Sequence, residues 1–280
     1  MKKKKITSYF HQLWDALKME LSEHRSSFAV YCTLRVIVIL VMILQIINKN
    51  YENVFLCILT LLLLIVPSLV QLTFRVELPT TLEIIILLFI FAAEILGEIS
   101  HFYLIFPFWD TILHTLNGFL AAAIGFSLVD LLNKSEKIQF ELSPLFIAIV
   151  AFCFSMTIGV IWEFFEFSMD TFFGMDTQKD TIIQTIHSVS LNPQGTMTTI
   201  SNIKNVVIDG QTLNIQGYLD IGLIDTMEDL FVNFIGATVF SFFGFFYTKY
   251  QGKGNFAKRF IPKRKEKSKD FLKIVRNREK

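Results

Sequence analysis

Apolar residues fall in long unbroken runs along this chain, and charged residues punctuate those runs instead of alternating with them. A hydrocarbon core of about 30 Å is crossed by about 20 residues of helix. The segments long enough are Phe28–Ile47, Val54–Phe74, Leu82–Ser100, Ile112–Leu132, Pro144–Phe167 and Thr226–Thr248. The pattern therefore predicts an all-α fold, a polytopic membrane bundle of about six transmembrane helices. Ahead of the first run, ITSYFHQLWDALKMEL sets Ile6, Phe10, Leu13, Trp14, Leu17 and Leu21 at helical spacing, with Lys18 and Glu20 off the stripe. That spacing predicts an amphipathic helix, either lying on the membrane surface or packed on the ends of the bundle. Between the last two runs, ISNIKNVVIDGQTLNIQGY carries β-branched stretches on either side of Asp209–Gly210, a dipeptide suited to a type I′ turn. A small external β-hairpin is expected there.

The resulting division is an amphipathic N-terminal segment over 1–27, helices one to five over 28–170, an external loop with the hairpin over 171–225, helix six over 226–248, and a basic tail over 249–280.

Composition excludes an ordinary soluble domain: of 280 residues 52% are hydrophobic, 30 are Phe, and only 18% are charged. The net charge of +1 hides an asymmetry, because 13 of the 26 Lys and Arg lie between Lys249 and Lys280. Lys2 to Lys5, Arg75, Lys134, Lys137 and the tail fall on one side of the alternating spans. The other side has Lys49 in its short loop and no basic residue in SHFYLIFPFW. The positive-inside rule then predicts a multi-pass cell-membrane protein with both termini cytoplasmic. The opening MKKKK imitates a signal peptide, but no small-residue cleavage site follows the first run, so the N-terminus is expected to be retained. The basic tail, from GKGNFAKRF onward, is expected to be surface-bound or mobile and to contribute anchoring, so that its removal leaves activity intact. It has no recognisable nucleic-acid-binding fold. Cys32, Cys57 and Cys153 have neither pairing nor ligand spacing and read as packing residues. Arg35, inside the first span, either snorkels or pairs with an acid.

Four spans then place acids at one depth. Glu94, Glu98 and His101 share a face near the end of the third, and Asp110, His114, Asn117 and Gly118 share one at the start of the fourth. The fifth ends with Glu163, Glu166 and Asp170, and the sixth opens with Asp225, Asp229, Asn233 and Gly236, flanked by Glu228. An ionisable group facing lipid costs about 2.5–3.5 kcal/mol even on the most lenient scale, so these stripes must face protein or water. Singly, each residue also fits a structural role: Asp110 and Asp225 as helix caps, Asn233 with Gly236 and Ala237 as an interhelical contact. Together, so many acids in a low-dielectric site need protons or cations. Carboxylates with an imidazole at these spacings suit a divalent ion, Mg²⁺, Mn²⁺ or Zn²⁺. The candidate metal ligands are Asp110, His114, Glu163, Glu166, Asp225 and Asp229, supported by Glu94, Glu98, Asp170 and Asn233. No organic cofactor is expected.

Such a site suits a divalent cation together with a polar lipid or envelope ligand. The alternatives are an ion- or proton-coupled transporter, which six spans could form as a homo-oligomer, and a non-catalytic membrane partner whose acids hold the bundle together. Membrane lipids are the expected partners, and nucleic acid is not. No nucleophile elbow, phosphate-binding glycine loop or paired-cysteine zinc site is present, and catalytic residues are not assigned.

The combination of WDTILHTLNG, GVIWEFFEFSMD and LIDTMEDLFVNFIGA resembles the YjdF-like family of bacterial integral membrane proteins, across the third to sixth spans. More distantly it resembles VanZ-like proteins: Asp110 and His114 match their Asp-x3-His, and Asp229, Asn233, Gly236 and Ala237 their Asp-x3-Asn-x2-Gly-Ala. Thr111 stands where the VanZ-like pattern usually has Lys. The resemblance implies a bacterial multi-pass membrane protein and assigns no activity.

Overall fold

The structure is a computed structural model that describes residues 2–23, 25–133, 142–250 and 257–278. Lys134, Lys137 and the 252–256 part of the basic tail lie outside the described residues. Contact density divides the chain into two units, residues 1–156 with 233–280, and residues 157–232.

In the first unit the apolar runs are helical as the sequence predicts. The helices are α1 (Lys2–Glu23), α2 (Arg25–Ile47), α3 (Tyr51–Leu63), α4 (Val66–Phe74), α5 (Thr80–Phe91), α6 (Phe102–Ile105) and α7 (Trp109–Asn133). To these it adds α8 (Pro144–Phe173) as far as Met156, α9 (Leu223–Lys249) from Asn233 onward, and α10 (Phe271–Arg278). Among the described residues, five segments are long and apolar enough to cross a membrane: Ser26–Ile47, Tyr51–Phe74, Trp109–Asn133, Pro144–Phe173 and Leu223–Lys249. Two spans are interrupted in ways that hydropathy does not encode. The second breaks at Leu64–Ile65, because Pro67 has no N–H to continue the α3 ladder and instead begins α4. The third is α5 continued by a π-helix over Ala92–Ile99, which carries Glu94 and Glu98.

The core of this unit inverts the soluble pattern. Small residues, Ala122, Ala123, Ala151 and Ala237, surround Phe126 and Phe240 in the interior, whereas Leu44, Phe55, Leu62 and Phe242 are exposed. In lipid there is no hydrophobic drive between helices, so close backbone approach at small residues and ring packing hold the bundle. Phe119 meets Phe240 edge-on at 5.1 Å and Phe260 at 5.0 Å.

The termini form a second layer of this unit. Strand β1 (Val76–Glu77) pairs antiparallel with β8 (Lys263–Arg264), Val76 opposite Arg264, and α1 packs on α10 and α4. Ala16 and Leu17 of α1, Leu72 of α4, and Phe271 and Val275 of α10 make its core. The N-terminal helix thus packs on other elements of this unit, and the described part of the basic tail is folded onto it. Glu20, expected off the apolar stripe, is buried there beside Lys265.

The second unit holds the ends of α8 and α9 and the loop between them. The loop forms three antiparallel pairs: β2 (Ile182–Ile183) with β7 (Tyr218–Leu219), β3 (Thr185–Ser188) with β4 (Thr198–Ser201), and β5 (Val206–Ile208) with β6 (Gln211–Leu213). The expected hairpin is the last of these. Asp209 and Gly210 turn it with φ of 49° and 78°, both left-handed, as a type I′ turn requires.

Candidate metal centre

In the second unit, Glu163 and Glu166 stand three residues apart on α8, and Asp229 stands on α9. Each offers a carboxylate oxygen, and the three oxygens all lie within 4.8 Å of one another. Glu163 and Asp229 are both 4% exposed, and Glu166 is half-buried. Three acids this close inside a membrane protein need positive charge, supplied by protons or by a cation. Two oxygens bound to one ion are separated by at most twice the metal–oxygen bond, about 4.2 Å for Mg²⁺ and about 4.6–5.2 Å for Ca²⁺. Three oxygens within 4.8 Å of one another stand near those limits. An all-oxygen ligand set also suits such an ion better than Zn²⁺.

Two other candidate ligands on the same helices are engaged differently. Asp170, one turn beyond Glu166, accepts from Thr177 N and Thr177 Oγ1, both at 2.6 Å, and from Gln178 N at 2.8 Å. Asp225, one turn before Asp229, accepts from Lys179 N at 2.9 Å. These oxygens fasten the loop that leaves α8.

The first unit holds the remaining candidates. His114 Nε2 and Asp110 Oδ1 are 3.5 Å apart along α7, the i,i+4 pair of the Asp-x3-His motif. Asn233 is 1% exposed and serves a helix crossing: its Oδ1 accepts from Asn117 Nδ2 at 3.3 Å, and its Nδ2 lies 3.5 Å from Ser155 O. Ser155 Oγ in turn donates to Gly118 O at 2.7 Å. Glu94 is half-buried and Glu98 exposed on the π-helix.

A family model described as "Predicted membrane protein (DUF2238)" matches residues 30–250. The chain belongs to this membrane-protein family. The match runs from within α2 to just past α9, which bears out the YjdF-like resemblance and gives no support to the VanZ-like one. No curated protein and no solved structure matches the chain. For a family described by its membrane location alone, the functional reading rests on the geometry of this member.

Sequence reasoning missed the loop residues Thr177, Gln178 and Lys179. Their amides answer Asp170 and Asp225, but backbone donors leave no mark in composition or spacing. The one available signal was Gly174, whose φ of +64° ends α8 in the left-handed conformation common after a helix.

Proposed function

We propose that this protein binds a hard divalent cation, Mg²⁺ or Mn²⁺ with Ca²⁺ as competitor, through Glu163, Glu166 and Asp229, and presents it to a phosphate-bearing lipid or envelope ligand. The observation that carries the reading is the convergence of three carboxylate oxygens within 4.8 Å. Three protein ligands leave open positions on a six-coordinate ion, and phosphate oxygens commonly fill them in Mg²⁺ sites. The ion would neutralise and orient the phosphate.

Titration of purified protein with Mn²⁺, read by electron paramagnetic resonance, tests this. One ion per chain is expected. Outer-shell changes alone cost roughly 10–100-fold in metal affinity, so Glu163→Gln or Asp229→Asn, each removing a direct ligand, is expected to cost about 100-fold or more. Unchanged affinity in both variants, or no Mn²⁺ bound by the wild type, overturns the reading.

We further propose that the second unit faces outward and both termini face the cytoplasm, on the asymmetry of Lys and Arg between the loops. In intact cells, Asn214→Cys is expected to react with an impermeant maleimide and Lys258→Cys to be protected. The reverse pattern reverses the orientation.

One observation favours a second reading, an ion-coupled transporter: the π-helix over Ala92–Ile99 places Glu94 and Glu98 on irregular backbone inside an apolar run. Proton uptake that changes in Glu166→Gln, with no Mn²⁺ bound by the wild type, would select it.

A further inference from the structure

The second unit raises a question of access. Glu163 and Asp229 are buried, Asp229 within two turns and Glu163 within three turns of the end of its helix, beside an exposed loop.

The segment 174–179 runs between the two helix ends. Gly174 ends α8, and its N–H returns to Asp170 O at 3.1 Å. Thr177 is tied to α8 twice, through Asp170 Oδ1 and by its own hydroxyl donating to Glu166 O at 3.0 Å. Gln178 is buried, its N–H on Asp170 Oδ2 and its Nε2 on Thr226 Oγ1 of α9. Lys179 N completes the span on Asp225 Oδ2. The chain thus crosses from α8 to α9 one turn beyond Glu166 and one turn before Asp229. Gly222 fixes its height: a Cβ there would lie 2.6 Å from Gln178 Cβ, and φ is +86°. Close approach at this point requires glycine.

We propose that residues 176–179 are a strap that closes the cation triad, with Asp170 and Asp225 as its fasteners and not as ligands. The inference rests on the reading of Glu163, Glu166 and Asp229 as a cation site. The surroundings suit that cargo. Partial desolvation, then the charges of Asp176, Asp220 and Asp170, raise the pKa of Asp180 against the opposing charge of Lys179, which lies 3.8 Å from Asp176, so four carboxylates and one ammonium gather around the strap. A net excess of one sign of charge raises the local concentration of the opposite ion. The fastening bonds are few and directed at loop amides, which suits an element that opens locally without unfolding the helices beneath it.

The test separates closure from metal binding. In full-length protein with Cys32, Cys57 and Cys153 replaced by Ala, Glu166→Cys reports access by its rate of reaction with a small charged methanethiosulfonate. The rate is expected to be slow with the strap intact. Asp170→Ala removes three accepted bonds and Asp225→Ala at least one, and the pair is expected to speed labelling by about a hundredfold or more. Gln178→Ala, a milder change in case the double variant does not fold, is expected to give a smaller rise of about fivefold. In the protein that retains all three triad acids, the same strap changes are expected to raise Mn²⁺ association and dissociation rates together, with affinity altered less than about threefold. Labelling that is fast in the parent, or unchanged by Gln178→Ala in a folded sample, overturns the strap. A hundredfold loss of Mn²⁺ affinity in Asp225→Ala overturns it too, by making Asp225 a ligand. Failure of the wild type to bind Mn²⁺ overturns the cation reading instead, and the labelling rates still decide closure.

Discussion

Replacing Gly236 by Ala is expected to cost about 3 kcal/mol or more, at the upper end of overpacking changes, and Gly236→Leu is expected to yield no folded protein. The reason is the partner at the contact. A Cβ on Gly236 would lie 2.0 Å from Thr115 O and 2.8 Å from Phe119 N, and one on Gly118 would lie 2.2 Å from Asn233 O. These are backbone atoms of α7 and α9, which cannot rotate away. The helices would have to separate along their crossing, and the neighbours that depend on it would follow. Asn233 bonds Asn117 there, and Phe240 meets Phe119 one turn on. Gly244 supplies the comparison, because its hypothetical Cβ meets a side chain, Phe126 Cδ2 at 2.8 Å, and a ring can tilt. Gly244→Ala is therefore expected to cost about 1–2 kcal/mol. Thermal melting in detergent, with the monodisperse fraction on size exclusion, distinguishes them. If Gly236→Ala melts with the wild type while Gly244→Ala does not, the crossing is misplaced.

That crossing was legible in the sequence, and other parts of the fold were not. Asn233, Gly236 and Ala237 at helical spacing inside an apolar run have little use other than close helix approach, so the residues themselves disclosed the contact. Asp209–Gly210 disclosed its turn for a similar reason, since two successive left-handed residues restrict the choice of side chain. The other two strand pairs were less plain. Ile182 opposite Leu219 is set by pairing across a long loop, and Thr185–Ser188 with Thr198–Ser201 closes around nine residues in which Asn192-Pro193-Gln194-Gly195 marks a turn, Gly195 N donating to Asn192 O at 2.9 Å, but fixes neither the strands nor their register. The π-helix at Ala92–Ile99 was illegible because it differs from an α-helix by a shift in hydrogen-bond partner that leaves hydropathy unchanged. At the candidate site, Glu163 and Glu166 share a helix face by their spacing, and their nearness to Asp229 of another helix comes from the fold. Asp170 and Asp225 looked the same, because a sequence displays carboxylates and conceals the amides that Thr177, Gln178 and Lys179 bring to them. The tail was misread on similar grounds. Basic residues in number suggest a solvated or lipid-bound segment, and nothing local to Lys265 points to an acid some 245 residues away.

Lys265→Ala is expected to destabilise the terminal layer by about 3–5 kcal/mol, the cost of leaving one member of a buried ion pair alone. The side chains of Lys265 and Glu20 are each 2% exposed, and the ammonium also lies 5.1 Å from the centre of the Phe271 ring. Its backbone is committed as well, since Lys265 N donates to Arg75 O at 2.9 Å, extending the pairing of β1 with β8. The neighbouring pairs weigh less. Arg75 reaches Asp270 at 3.5 Å with its own side chain 63% exposed, and Lys269 reaches Glu77 at 3.2 Å with both partners partly exposed. Solvent screening holds such pairs to about 0–1 kcal/mol, so Arg75→Ala is expected to be nearly silent. Deleting 263–280 removes β8, α10 and all three pairs at once and exposes Leu17 and Leu72, so it is expected to cost folding and not merely anchoring. Replacing both members, Glu20→Leu with Lys265→Met, leaves no buried charge alone and is expected to recover most of the loss from Lys265→Ala. Limited trypsin digestion reads the order: rapid cleavage at Arg276 and Lys273 in Lys265→Ala, slow cleavage in the wild type, in Arg75→Ala and in the double variant. If Lys265→Ala resists trypsin as well as Arg75→Ala does, the pair is not holding the termini together, and the tail returns to the surface role its charge first suggested.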